Sequence, residues 1–264
     1  EAVRSVVDQG NMSTFNCPEE VYLAERLVAL HPWADMVRFA RSGGEANAIA
    51  IRIARAAAEK NKVAICGYHG WHDWYLAANL GDETNLDGHL LPGLEPRGVP
   101  RGLKDTTLAF NYNDLDSLRG LVRDHDIGII KMEVSRLVAP EAGFLESVRK
   151  FATENNIVLI FDEVYTGWGK TGTLFHFMRY EGLVPDLLTS SKSFGGGKAS
   201  VSLYVAREPI FRKAYDTLSD FNLHSTTYNA FGEESVTALE AVNVVVEDDY
   251  PAKARHIGER LDLG

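Results

Sequence analysis

Cysteine is scarce. Cys17 and Cys66 are the only two among 264 residues, which excludes a disulfide framework and makes a reducing, cytoplasmic compartment the expectation. Long apolar runs are missing too. Stretches such as Ile157-Val158-Leu159-Ile160-Phe161 fall far short of the roughly 20 residues that cross a bilayer as a helix, so no membrane association is expected. Positive charge is in deficit, with 27 Lys and Arg against 37 Asp and Glu and a formal net charge of −10. Phosphate backbones are gripped by clustered cations, so nucleic acid is not an expected partner. The opening Glu1-Ala2-Val3-Arg4 shows neither an initiator methionine nor the apolar stretch of a signal peptide. With Leu261-Asp262-Leu263-Gly264 breaking off a helical pattern, the sequence reads as part of a longer chain. No internal repeat or low-complexity tract is visible.

What is present is an ordinary globular composition, 45% apolar and 24% charged, long enough for one large α/β domain or two small ones. Short β-rich runs alternate with helical periodicity. Leu23, Leu27 and Leu30 share a helical face after Pro18-Glu19-Glu20, and Ala46, Ile49, Ala50, Ile53 and Ala57 share another over 45–60. Further helices are expected near 114–125, 144–155, 208–217, 233–246 and 251–262. Strands are expected at 36–40, 63–66, 106–110, 127–132, 157–161, in a run ending near Ser190, and at 201–205. Residues 81–105 form a loop long enough to suggest a covering role. This alternation predicts an α/β fold with a mostly parallel sheet and helices on both faces, and such sheets bind ligands beyond the carboxyl ends of their strands.

Four strand ends carry chemistry. Ser42-Gly43-Gly44 before a strong helix is either a backbone cradle for an anion or a tight turn capped by Ser42. Gly67-Tyr68-His69-Gly70-Trp71-His72-Asp73-Trp74 is either an aromatic platform for a planar ligand or core packing. His69, His72 and Asp73 lack the further ligands a metal site needs. The apolar strand ending in Asp162-Glu163 offers a carboxylate for Mg²⁺, a proton or a cationic ring, or simply a cap or ion pair. Lys192, after Thr189-Ser190-Ser191 and before Gly195-Gly196-Gly197, is either a desolvated amine with nucleophilic character or a lysine snorkelling from a turn. A nucleotide-binding P-loop does not fit. Gly169-Lys170-Thr171 has Val164 where the spacing demands glycine, and Gly197-Lys198 has Lys192 there and Ala199 for the hydroxyl. Together, an anion cradle, an aromatic plate, a carboxylate and a lysine are the parts that pyridoxal 5′-phosphate requires.

In their order and wording these motifs resemble the class III (ornithine/GABA-type) aminotransferases, including glutamate-1-semialdehyde aminomutase. The resemblance is carried by Phe39-Ala40-Arg41-Ser42-Gly43-Gly44-Glu45-Ala46-Asn47, Tyr68-His69-Gly70, Phe161 to Gly167, Pro185-Asp186 through Lys192 to Gly197, and His224-Ser225-Thr226-Thr227-Tyr228. It spans nearly the whole chain. It implies the fold type I large domain over 1–250, lacking its N-terminal part, with 251–264 beginning a truncated small domain. It also implies Lys192 as the lysine that forms the Schiff base and Asp162 as the partner of the pyridine nitrogen. Tyr68 would be the stacking ring, with His69 beside it, Val164 would lie on the other ring face, and Ser42, Gly43 and Gly44 would form the phosphate turn. Thr227 would reach the phosphate of a neighbouring subunit, making a homodimer necessary.

Several positions depart from the family pattern. Gly44 stands for Thr or Ser, Val134 for proline after Glu133, Tyr165 for Gln, Met or Ile, Lys170 for arginine, and Asn229-Ala230-Phe231 for Gly-Asn-Pro. The run from Tyr68 to Tyr75 is similar to an aminomutase-like subgroup found among sugar and polysaccharide biosynthesis enzymes. The implied activity is amino transfer from an amine or amino acid to a keto or aldehyde acceptor. Intramolecular transfer of the aminomutase type is one alternative, and a non-catalytic cofactor-binding or scaffold protein is another.

Overall fold

The computed structural model describes residues 1–10, 17–89, 92–135, 138–215, 223, 225–227 and 231–262. Seven strands form one sheet: β1 (Met36–Ala40), β2 (Lys62–Cys66), β3 (Thr107–Ala109), β4 (Ile127–Glu133), β5 (Val158–Asp162), β6 (Leu187–Ser190) and β7 (Ser202–Ala206). Their order across the sheet is β1-β7-β6-β5-β4-β2-β3. The pairs β3–β2, β2–β4, β4–β5 and β5–β6 are parallel, whereas β7 is antiparallel to both β6 and β1. The mostly parallel sheet is as expected, and each strand lies within one or two residues of its expected place.

Alternation along the strands sorts side chains into two apolar layers. On one face Ile129, Ile160 and Leu187 pack against Ala46, Ile49, Ala50 and Ile53 of α3 (Gly43–Ala58). On the other, Ile130, Met132, Leu159, Phe161 and Leu188 meet α2 (Pro18–Leu30), α5 (Leu115–Asp124), α6 (Phe144–Glu154) and α8 (Gly232–Glu247). Local signals place the helix starts. Pro18 opens α2, Asp114 accepts from Ser117 N at 2.8 Å to cap α5, and Ser42 accepts from Glu45 N at 3.2 Å to cap α3. At the amino end of the sheet Asp186 accepts from Arg149 and from Leu159 N at 2.8 and 2.9 Å. It ties β5 to β6 far from the ligand edge.

Three elements differ from the sequence reading. Helix α1 (Ala2–Gln9) was not foreseen; Val6 is its one buried side chain, so its apolar pattern is too thin to read. A short helix α4 (Asp73–Leu76) runs into a 3₁₀ turn to Leu80 within the aromatic run. The 81–105 loop is not structureless. Asn79 pins it through Leu94 O and Leu86 N at 2.7 and 3.0 Å, and His89 accepts from Gly67 N at 2.9 Å, beside Tyr68. Helices α7 (Glu208–Tyr215) and α9 (Tyr250–Asp262) complete the described chain. The last two residues expected in the 208–217 helix lie outside the described residues. Among the described residues no helix is long and apolar enough to cross a membrane.

Candidate active site

Asp162 ends β5 at the carboxyl edge of the sheet and is buried. Its register partner on β6 is Thr189, three residues before Lys192, and its partner on β4 is Glu133. Asp162 ends β5 and Lys192 follows the end of the adjoining parallel strand β6, so both stand at the same edge of the sheet. Asp162 Oδ2 accepts from Asn47 Nδ2 and from His69 Nδ1, both at 2.8 Å, and Lys131 Nζ lies 3.6 Å away. Oδ1 accepts from Val164 N at 3.0 Å. Burial alone would raise this carboxyl, but the Lys131 ammonium and the His69 hydrogen bond hold it well below the usual carboxylate range. Asp162 is a fixed negative charge.

The carboxylate accepts only, so His69 donates its Nδ1 proton, and burial holds its ring below the ordinary histidine value and neutral. His69 is stacked at 6.2 Å on Trp74, and its Nε2 has no hydrogen-bond partner among the described residues. His69 thus contacts the carboxylate directly. Its neighbour Tyr68 is half-buried, edge-on to Tyr75 at 5.8 Å, with its backbone N–H donated to Glu133 Oε2 at 2.9 Å.

The Ser42-Gly43-Gly44 turn adjoins this cluster. Both glycines lie in right-handed helical backbone, so steric room rather than unusual torsion demands them. A Cβ on Gly43 would lie 2.9 Å from Val164 Cγ1 and 3.4 Å from Ser191 Cβ, and one on Gly44 would lie 2.8 Å from His72 Cε1. Gly43 thereby brings the start of α3 against residues next to both Asp162 and Lys192. The Ser42 hydroxyl accepts from Glu45 N in its own helix cap, so its O–H and the backbone N–H groups at the start of α3 are the donors available to an anion.

Of the two readings of Lys192, a desolvated amine or a lysine reaching out from a turn, the structure fits the second, because the side chain is exposed. Ser190 and Ser191, not Lys192, are buried. A φ of 50° at Lys192 and a 3₁₀ turn over Lys192–Gly195 roll the lysine off the sheet edge. It faces a cleft of about 1450 Å³ shared with Trp168, Lys170, Thr237, Glu240 and Tyr250. Thr227 is also exposed, and of its motif His224 and Tyr228 lie outside the described residues, as do Asn229 and Ala230.

Glu163, adjacent to Asp162, turns away from the cluster. Its carboxyl accepts from Thr166 Oγ1, His176 N and Phe177 N, pinning the 176–179 turn. Burial pushes it up to about 7 from an ordinary 4.5. The folded chain then holds a proton that the unfolded chain has released, and that contribution to stability disappears as pH rises through about 7. Between pH 5 and 8 the parent is expected to lose about 3 kcal/mol of unfolding free energy relative to Glu163→Gln, read from urea midpoints. Parallel pH profiles for the two proteins would contradict this.

Asn47 and Lys131 were missed as members of the cluster. Asn47 lay inside a quoted motif, on the helical turn after Gly43. Lys131 had a plain signal, a lone cation in the buried strand Ile127-Gly128-Ile129-Ile130-Lys131-Met132-Glu133.

The family model described as Aminotransferase class-III matches residues 1–264. Glutamate-1-semialdehyde 2,1-aminomutase of Methanobrevibacter smithii is 37% identical over 210 residues, covering 75% of this chain and 47% of that protein. 3-Aminobutyryl-CoA aminotransferase of Cloacimonas acidaminovorans is 30% identical over 256 residues, 91% of this chain and 55% of that one. The chain thus spans about half the length of these curated relatives. A transaminase solved with PLP bound superposes with a TM-score of 0.79 at 25% identity, over 92% of this chain and 57% of the other.

Proposed function

We propose that this chain, which belongs to the class-III aminotransferase family, moves an amino group between an amine or amino acid and a keto or aldehyde acceptor with pyridoxal 5′-phosphate. Its mostly parallel sheet with helices on both faces is that of the fold type I enzymes. The observation that carries the reading is the state of Asp162. A carboxylate offers about four acceptor sites. Asn47 and His69 occupy those of Oδ2 and Val164 N one of those of Oδ1. One acceptor is left at Oδ1 of a buried, ionised group at the ligand edge, which suits the protonated nitrogen of a planar ring.

When bound, the cofactor draws electrons from the carbon that bears the transferred amino group. The chain's own residues do the rest. Backbone amides at Ser42, Gly43 and Gly44 would hold the phosphate, and Tyr68 and Val164 would pack against the ring. Asp162, fixed by His69, would keep the proton on the ring nitrogen. The Lys192 amine would hold the cofactor aldehyde and move a proton at the substrate carbon. The open cleft at Lys192 and the exposed Thr227 support a homodimer in which Thr227 of one copy completes the phosphate site of the other. Cys17 and Cys66 are both buried and form no disulfide, which suits a reducing, cytoplasmic setting.

The 37% identity to an aminomutase favours a second reading, in which the amino group returns to a neighbouring carbon of the same molecule. An amine-donor panel on the full-length protein with pyruvate or 2-oxoglutarate separates the two. Transamination yields a new amino acid in proportion to donor consumed, whereas the aminomutase turns over without an acceptor. No turnover under either condition, together with no spectral change on adding pyridoxal phosphate, would contradict both.

A further inference from the structure

Lys131 lies in the middle of β4 with no exposed surface. It pairs with Ile160 of β5 while Glu133 pairs with Asp162, so alternation puts Lys131, Glu133 and Asp162 on one face of the sheet. Its Nζ donates to Thr189 Oγ1 at 3.2 Å and stands 3.6 Å from Asp162 Oδ2. A methionine would fill similar volume with no charge to desolvate, and an ammonium in such a place persists only where it is paired. The hydrogen-bond donors to Asp162 are all neutral: the Asn47 amide, the Val164 backbone N–H and the His69 ring. Among the described residues Lys131 is the one ammonium or guanidinium paired with that carboxylate.

We propose that Lys131 is a positioning residue that keeps Asp162 ionised whether or not the site is filled and, by sharing its charge, weakens its hold on a protonated ring nitrogen. This rests on the pyridoxal phosphate reading above. A carboxylate with no other counter-charge attracts a ring N–H⁺ at full strength. One already facing an ammonium divides its charge between two cations, and the Lys131 ammonium and the ring cation repel each other across it. Burial lowers the pKa of Lys131 while Asp162 opposes that shift, as a paired interior ammonium requires.

The test compares the affinities of pyridoxal phosphate and its 1-deaza analogue, in which a C–H replaces the ring nitrogen, for the parent and for Lys131→Met. Both ligands carry the same aldehyde and phosphate, so the contributions of Lys192 and of the phosphate turn cancel in the ratio. In Lys131→Met the preference for pyridoxal phosphate over the analogue is expected to rise about tenfold, a step within the range of hydrogen bonds to charged groups. A purely structural role would weaken both ligands alike, and a ratio unchanged within about twofold overturns the proposal. Lys131→Gln, which keeps a polar tip at Thr189, is expected to show the same rise if the methionine variant does not fold. The parent alone gives a third reading, a preference below about tenfold. A preference beyond a hundredfold overturns the proposal. A parent that binds neither ligand removes the cofactor reading and this inference with it, whereas a parent that binds both with an unmoved ratio in the variants removes the inference alone.

Discussion

Lys192→Ala is expected to lower amino transfer by at least about 10³-fold while leaving the fold intact. The size follows from losing one group with two proposed tasks, holding the cofactor aldehyde and shuttling a proton, and positioned proton transfer alone contributes about 10²–10⁴. Stability is expected to change little because the lysine side chain is exposed and surface changes usually stay within about 0.5 kcal/mol. The left-handed φ of 50° does not alter this, since lysine and alanine carry the same Cβ and meet the same strain there. The phosphate turn and Asp162 remain, so the variant is expected to bind pyridoxal phosphate without a covalent link. Single-turnover rates with an amine donor, alongside thermal melts, read both halves. A rate within tenfold of the parent would show that the amine at this position does no chemistry.

Asp162→Asn is expected to cost about 10²–10³ in rate with a much smaller loss of cofactor affinity. Removing a preorganised electrostatic group from a buried site has an effect of that order. The amide keeps the side-chain shape and can still accept from Val164 N, now at 3.0 Å from Oδ1. It would lack the charge that is proposed to keep a proton on the ring nitrogen. Like Asp162→Ala, it also leaves the fully buried Lys131 without its carboxylate, and breaking a buried pair in this way destabilises by about 3–5 kcal/mol. Urea unfolding should therefore show both variants destabilised, so single-turnover rates on the folded asparagine variant read the kinetic deficit. An asparagine variant as fast as the parent would mean that the carboxylate has no part in the reaction.

Much of this arrangement is legible in the sequence because parallel strands announce themselves twice, by continuous apolar runs and by the polar residues that follow them. Val158 to Phe161 are buried, and the next position is the carboxylate; Leu187 to Ser190 are buried, and Lys192 follows. The alternation of strands with helices then places both ends at one edge. What resisted reading depends on which way a side chain turns. Asp162 and Glu163 are neighbours with the same chemistry, yet one faces α3 and the other pins the turn at His176 and Phe177. Only the pleat separates them.

The sequence left open whether Lys192 is buried or exposed for a similar reason. The serines before it are buried, but the backbone rotates at Lys192 itself and carries the amine out. Lys131 was overlooked because a lysine within an apolar strand invites no partner until the neighbouring strand is in register. Glu133↔Asp162 and Asp162↔Thr189 supply that register, and sequence spacing does not contain it. The glycines at 43 and 44 read in the sequence as an anion cradle or a tight turn, and their neighbours Val164 and His72 add a need for space that the sequence does not contain.

The claim on which the account stands is that the amine of Lys192 and the carboxylate of Asp162 serve one bound ring. Borohydride reduction of the pyridoxal phosphate-loaded protein, followed by proteolysis and mass spectrometry of the lysine peptides, tests it most directly. The account predicts a single pyridoxyl modification, on Lys192, formed in the parent and in Asp162→Asn and absent from Lys192→Ala. Modification of another lysine, or of several with no preference for position 192, would contradict it.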